Sequence, residues 1–243
     1  MTWKSEVPSF VGGLEVINLR KLWQETWYNE TSHFFHSLFI YPFNPRLALI
    51  RLIAQEEKEF ELWDKTNLKR RLIGVLGNQT TSRIFSAMGI AFSFPSYKES
   101  FEFASNHILL ESELTGNANS DRAKIFKALE KGEFYFSFDS LGSPKGFAAY
   151  VKRTGRYYLP GNKISVKKRT HLVVDLPKNI SIPVEIKLLK DGQIISMVKN
   201  DNGKFEISSP GNYRVEVHVQ PKLPFPESSR WVPWIFTNNF YFN

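Results

Sequence analysis

The sequence contains no cysteine. That absence excludes disulfides, zinc–thiolate sites and a cysteine nucleophile, and it is compatible with a reducing compartment. A long hydrophobic run is also lacking. The most apolar region, residues 34–53, is broken by Pro42, Asn44, Pro45 and Arg46. It falls short of the ~20 residues that cross a bilayer, so it reads as a buried segment and no membrane span is expected. The opening Met-Thr-Trp-Lys-Ser-Glu-Val-Pro has no apolar core of a signal peptide, and the expected location is cytoplasmic. There is no Gly-x-Ser-x-Gly elbow to support a hydrolase triad and no glycine-rich loop with phosphate-cradling spacing. Internal repeats and low-complexity tracts are absent too.

What is present is an ordinary globular composition in 243 residues, with 42% apolar and 23% charged residues, so disorder is a poor reading. The length allows a sizeable core in one large domain or two smaller ones. Aromatics reach 15%, mostly phenylalanine, which predicts a ring-rich core. The formal charge is +8. An anionic partner is one explanation, and dispersed lysines on a mildly basic surface are the other. The basic clusters, Lys69-Arg70-Arg71 and Lys167-Lys168-Arg169, are short. Neither is interleaved with stacking aromatics, so nucleic acid is not the expected partner.

Along the first 142 residues, strand and helix patterns alternate. Leu14–Ile17 and the apolar run Leu72–Leu76 read as strands, the second as a buried parallel one. Helices are expected over 20–30, 32–40, after Pro45 and over 58–70. Ser96-Tyr97-Lys98-Glu99 has capping-box spacing and should open a helix with Tyr97, Phe101 and Ala104 on one face. Ser120-Asp121 should cap a helix burying Ile125, Phe126 and Leu129 and stopped by Gly132. Strands are expected again at 108–110 and 134–138. This alternation predicts a parallel sheet or a piece of a barrel. From Gly142-Ser143-Pro144 onward no helical period is visible. Val184–Leu188 alternates strictly, and Asp191-Gly192 marks a hairpin. Tyr213, Val215, Val217 and Val219 alternate with Arg214, Glu216 and His218. Residues 143–243 therefore predict a small antiparallel β-sandwich-like domain with one wet face.

Several stretches resemble the C-terminal half of the polymerase and histidinol phosphatase (PHP) family, with an appended β domain. They are Gly13-Leu14-Glu15-Val16-Ile17-Asn18, Tyr41-Pro42-Phe43-Asn44-Pro45-Arg46-Leu47-Ala48-Leu49, and Gly74-Val75-Leu76-Gly77. Phe94-Pro95-Ser96-Tyr97, Ser105-Asn106-His107-Ile108-Leu109-Leu110, Leu114-Thr115-Gly116, Asp121-Arg122-Ala123 and Trp234-Ile235-Phe236-Thr237-Asn238 follow in the family's order. The resemblance implies a distorted β/α barrel, here a partial one over residues 1–142. It also implies phosphoester hydrolysis by two or three divalent metals (Zn, Mn or Fe) held by His, Asp and Glu, which activate water and neutralise phosphoryl charge.

Two departures from that pattern argue against activity. The family's opening His-x-His ligands would lie upstream of Gly13, where this chain has none. Its late Gly-Ser-Asp-x-His motif falls on Gly77-Asn78-Gln79-Thr80-Thr81, so Asn78, Gln79 and Thr81 stand at degenerate motif positions. An amide and a hydroxyl are poor replacements for a carboxylate and an imidazole on a catalytic divalent ion. No catalytic residue, metal ligand or cofactor is therefore expected unless missing ligands are supplied by another chain.

Glu15 and Asn18, at the end of the first strand, read equally as the remnant of a polar pocket or as a partly exposed strand end. Arg83 could bind an anion or be an ordinary surface residue. His33 and His36 share a helical face but read as members of an aromatic cluster, not a metal pair. His107 reads as a hydrogen-bonded structural residue, and His171 and His218 as solvated strand residues. Trp231 and Trp234 read as core.

The leading expectation is a catalytically inactive PHP-like protein with a binding or structural role. It would be compensated by self-association or by a separate N-terminal barrel half, because half a barrel leaves strand edges open. Alternatives are a phosphoesterase completed by such a partner and acting on phosphate esters, or a basic module for an anionic polymer.

Overall fold

The computed structural model describes residues 6–29, 31–51, 53, 57–78, 84–87, 90–93, 96–178, 180–223 and 229–243. The chain opens with β1 (Gly13–Asn18), then α1 (Leu19–Asn29), α2 (Thr31–Ile40), α3 (Pro45–Ile50), α4 (Glu57–Asn67) and β2 (Ile73–Gly77). As the apolar runs predict, β1 and β2 pair in parallel, with Leu14 opposite Gly74 and Asn18 opposite Gly77. The helical crossover between them is what a parallel pair requires. Asn44 caps α3 by accepting from the Leu47 N–H at 3.0 Å, with Pro45 at the first helical position.

A hairpin of β3 (Ile84–Ala87) and β4 (Ile90–Ser93) follows, then α5 (Tyr97–Phe103), β5 (Ser105–Ile108), α6 (Ala118–Lys131) and β6 (Phe134–Ser137). Ser96 caps α5 as its spacing predicts, accepting from the Glu99 N–H at 3.3 Å. Gly132 closes α6 at φ +66°. The α6 N-cap is Asn117, three residues before the expected one. Two expected faces are corrected as well. Tyr97, Phe101 and Phe126 are more than half exposed, while Phe103, Ala104 and Ala128 supply the buried contacts. Both helices lie on the surface, so a narrower stripe suffices.

The remaining strands are β7 (Ala148–Arg153), β8 (Arg156–Tyr158), β9 (Lys163–Ile164), β10 (His171–Asp175), β11 (Val184–Lys190), β12 (Gln193–Lys199), β13 (Gly203–Glu206), β14 (Gly211–Val219), β15 (Val232–Thr237) and β16 (Phe240–Phe242). Asp191 (φ +51°) and Gly192 (φ +86°) make the β11–β12 turn, as their sequence predicts. One sheet runs β13-β10-β7-β8. The larger runs β12-β11-β14-β15-β6-β5, with β16 beside β14 and β9 beside β16. This sheet spans residue 142: Phe136 of β6 is the register partner of Phe236 of β15.

The result is a mixed α/β fold with a strand-rich C-terminal region. The larger sheet is its middle layer. Tyr135, Ile235, Val215 and Val217 face the core shared with the smaller sheet. Phe134, Phe136, Phe138 and Phe236 face the core shared with α3, α4, β1 and β2. The expected wet face is thus covered by helices, and β6 and β15 are buried throughout. Among the described residues no helix is long and apolar enough to cross a membrane.

Among the described residues no backbone ladder joins β2 to the larger sheet. Two asparagine side chains take its place. Asn238, after β15, accepts from the Gly74 N–H at 2.8 Å and donates to the Gly74 carbonyl at 3.2 Å. Asn106 of β5 makes the same pair of bonds to Leu76, at 3.1 and 2.8 Å. An amide side chain carries one acceptor and one donor group, so it can imitate a strand residue. Asn238→Ala strands both Gly74 groups in a buried site and is expected to cost about 2 kcal/mol. The denaturation midpoint reads that loss, and faster hydrogen exchange at Gly74 locates it.

Candidate functional site

In parallel β/α folds chemistry gathers at the C-terminal ends of the strands. Here those ends carry Glu15, Asn18, Gly77 and Asn78. The structure brings Glu15 and Asn18 together: the Asn18 amide donates to the Glu15 carboxylate at 2.9 Å. The Asn18 Oδ1 accepts from the Lys21 N–H at 3.0 Å, which is the N-cap bond of α1. The Glu15 carboxylate lies against Gly77, where an added Cβ would sit 1.5 Å from Oε1. The Glu15 side chain thus fills the space over the β2 end and would have to swing aside for any larger residue at 77. Asn78 follows directly, with a buried Oδ1 that has no hydrogen-bond partner among the described residues. Gln79, Thr81 and Arg83 lie outside the described residues.

This corner offers a metal one carboxylate and two side-chain amides. It has no imidazole, so the described residues do not fit a two- or three-metal hydrolytic centre. Among the described residues no group of three or more His, Asp and Glu could hold a metal ion.

His107 is hydrogen-bonded, in keeping with its sequence context. Its Nε2 lies 2.8 Å from Ser137 Oγ and 3.2 Å from Asp139 Oδ1, and its ring stacks on Tyr135 at 4.7 Å. Ser, His and Asp here do not make a triad. A catalytic imidazole uses one nitrogen for the nucleophile and the other for the orienting carboxylate. Both partners here share Nε2, and Ser137 is fully buried. Burial pushes the Asp139 carboxyl up. Hydrogen bonds from His107, Ser105 and Ser137, with the His107 charge, outweigh burial and hold it below the usual range. His36 is half-buried on α2, and the His33 side chain lies outside the described set. Trp234 is core, as expected.

His218 corrects the sequence reading, because it is 4% exposed and not solvated. It belongs to a buried charged row on the helix-facing side of β14. His218 Nε2 lies 3.2 Å from Glu216 Oε2. Arg214 binds Glu216 Oε1 at 3.1 Å and also pairs with Asp64 of α4. The Arg214 guanidinium is 5.4 Å from the Phe60 ring centre and 5.2 Å from that of Trp63. The alternation of Arg214, Glu216 and His218 reads as a wet face in sequence. The one local hint was aromatic spacing on α4, and nothing local says that α4 covers this strand.

No protein-family model, no curated protein and no solved structure matches this chain.

Proposed function

We propose that this chain is a PHP-like protein without a catalytic metal centre of its own, acting by binding. One observation carries the reading: Glu15 and Asn18, the polar side chains at the β1 end, serve structure. Asn18 caps α1 and holds Glu15, and Glu15 packs over Gly77.

The helical layer supports the binding role. Tyr28, Phe35, Phe39, Phe43, Tyr97 and Phe101 are each more than half exposed. Phe39 and Phe43 are in ring contact at 6.3 Å, and exposed apolar patches mark interaction surfaces. A further feature favours a second reading, a phosphoesterase completed by another polypeptide. Among the described residues β1 has β2 on one edge and no strand on the other, so a partner could add strands and ligands there.

Loading the protein with Mn²⁺ or Zn²⁺, desalting it and measuring retained metal separates the two readings. The proposal expects substoichiometric metal and background hydrolysis of a chromogenic phosphomonoester. Tight stoichiometric metal in the chain by itself overturns it. Metal retained only after mixing with a second polypeptide establishes the alternative.

A further inference from the structure

A cavity of about 500 Å³ lies at the opposite end of β2 from Asn78. That volume is in the range of small-ligand sites. Four segments build it: Arg71 just before β2, Glu111 shortly after β5, the α6–β6 corner with Lys131 and Glu133, and the β8–β9 arm. The arm closes on the corner through Gly161, whose α-carbon packs on the Lys131 carbonyl. Asn162 ties it further, donating to Glu133 at 2.8 Å.

The charges around this cavity do not cancel. Its lining holds the cations Arg71, Lys131, Arg156 and Lys163 and the carboxylates Glu111 and Glu133. Lys131 pairs with both carboxylates, at 3.1 and 3.5 Å, and Lys127 adds a second cation on Glu111 at 2.9 Å. Both acids are therefore already neutralised. Among the described residues Arg71, Arg156 and Lys163 have no carboxylate within ion-pair distance. Two of the three are held in place by other contacts. The Arg71 guanidinium donates to the Lys131 carbonyl and lies over the Tyr241 ring at 5.5 Å. Arg156 lies over Tyr158 at 5.1 Å. Fixed like charges around one concavity repel each other, and a negative ligand relieves that repulsion.

We propose that this cavity binds a small multivalent anion, gripped by Arg71, Arg156 and Lys163. The concave shape favours a compact ligand over a polymer, which would need an extended basic stripe. Because the cations reach the cavity from two sides, Arg71 ahead of β2 and Arg156 and Lys163 on the β8–β9 arm, a ligand with two or more negative charges is favoured over a monovalent ion. The inference does not depend on PHP likeness, since the cavity is roughly 20 Å along β2 from the strand ends.

Titration calorimetry of the full chain with citrate and with inorganic phosphate tests it, with acetate as the monovalent control. Saturable binding of citrate or phosphate, at least tenfold tighter than acetate and weakened by added salt, is expected. Arg156→Glu with Lys163→Glu should weaken that binding at least tenfold while leaving the melting temperature unchanged. Tighter binding of citrate assigns a polycarboxylate, and tighter phosphate assigns a phosphoryl group. Perturbation of the Gly161 and Lys163 amide resonances in the unmutated protein gives an independent check. The proposal is overturned if neither probe binds, if the charge-reversed variant binds like the parent, or if the perturbed resonances lie elsewhere.

Discussion

Arg214→Ala is expected to lower the unfolding free energy by about 3–5 kcal/mol, read as a shift of the urea midpoint. Glu216 is 1% exposed, and Asp64, on the covering helix α4, pairs with the same Arg214. Without the guanidinium, Glu216 keeps its bond to His218 while Asp64 loses its ion-pair partner and stays beside the Glu216 and Asp191 carboxylates, and the Phe60 and Trp63 rings lose the group packed over them. Removing one partner of a buried ionic group costs far more than removing the whole group. Arg214→Met combined with Glu216→Gln and Asp64→Asn should therefore recover most of the loss. A purely steric role for Arg214 predicts no such recovery.

Acid pH gives the same experiment a sign. Burial pushes the Glu216 carboxyl up, but the His218 hydrogen bond and the Arg214 charge outweigh it and leave the group below its usual 4.5. A depressed acid contributes stability above its unfolded pKa and loses it as pH falls through the folded one. Glu216 therefore stabilises the parent at neutral pH, and its share fades only below about 4.5. Asp64 runs the other way. Burial, only partly offset by Arg214, raises it above 3.8, so protonation on mild acidification relieves a cost. Removing Arg214 takes the counter-charge from both acids, and both then favour the neutral form. The Arg214→Ala deficit should shrink as pH falls from 7 toward 5. A deficit that stays constant over that interval would exclude an electrostatic cause.

Gly161→Ala is the second large effect, with an expected loss of about 3–5 kcal/mol from left-handed backbone strain plus a clash. Gly161 has φ +87°, and an added Cβ would lie 1.8 Å from the Lys131 carbonyl oxygen. That oxygen is backbone at the end of α6 and cannot swing aside. The Gly161 N–H also donates to the Asn239 carbonyl at 2.7 Å, so the arm is held from both sides. Gly155 is the control: φ is +76°, but an added Cβ meets nothing within 4 Å. Gly155→Ala should cost only the backbone strain, about 1 kcal/mol. The melting-temperature difference between the two variants isolates the clash. Loss of anion binding in Gly161→Ala alone would tie the arm's position to the cavity.

Local features were read well where one residue decides one conformation. Ser96, Gly132, Asp191 and Gly192 act where the sequence places them, because capping and positive φ are properties of single residues and their neighbours. The pairing of β1 with β2 was legible because continuous apolar runs separated by helices leave few alternatives. Of the faces expected for α5 and α6, Ala104 and Leu129 meet the core, while Tyr97, Phe101 and Phe126 do not. Periodicity reports that a face is apolar, but not whether another element exists to cover it.

For the site, the sequence determined the chemical inventory. It has no cysteine, and an amide and a hydroxyl stand at Gln79 and Thr81. It also has a carboxamide and a carboxylate, Asn18 and Glu15, three residues apart. Tertiary structure alone decided how these and other polar residues are used. It covered the Arg214–Glu216–His218 row with α4, joined β2 to the larger sheet through Asn106 and Asn238, and gathered Arg71, Arg156 and Lys163 around one cavity. These contacts link residues far apart in the chain, and a side chain's burial and its charged neighbours depend on which distant element packs on it. Alternation along a strand shows that two faces differ, but whether the polar face meets water is set by packing.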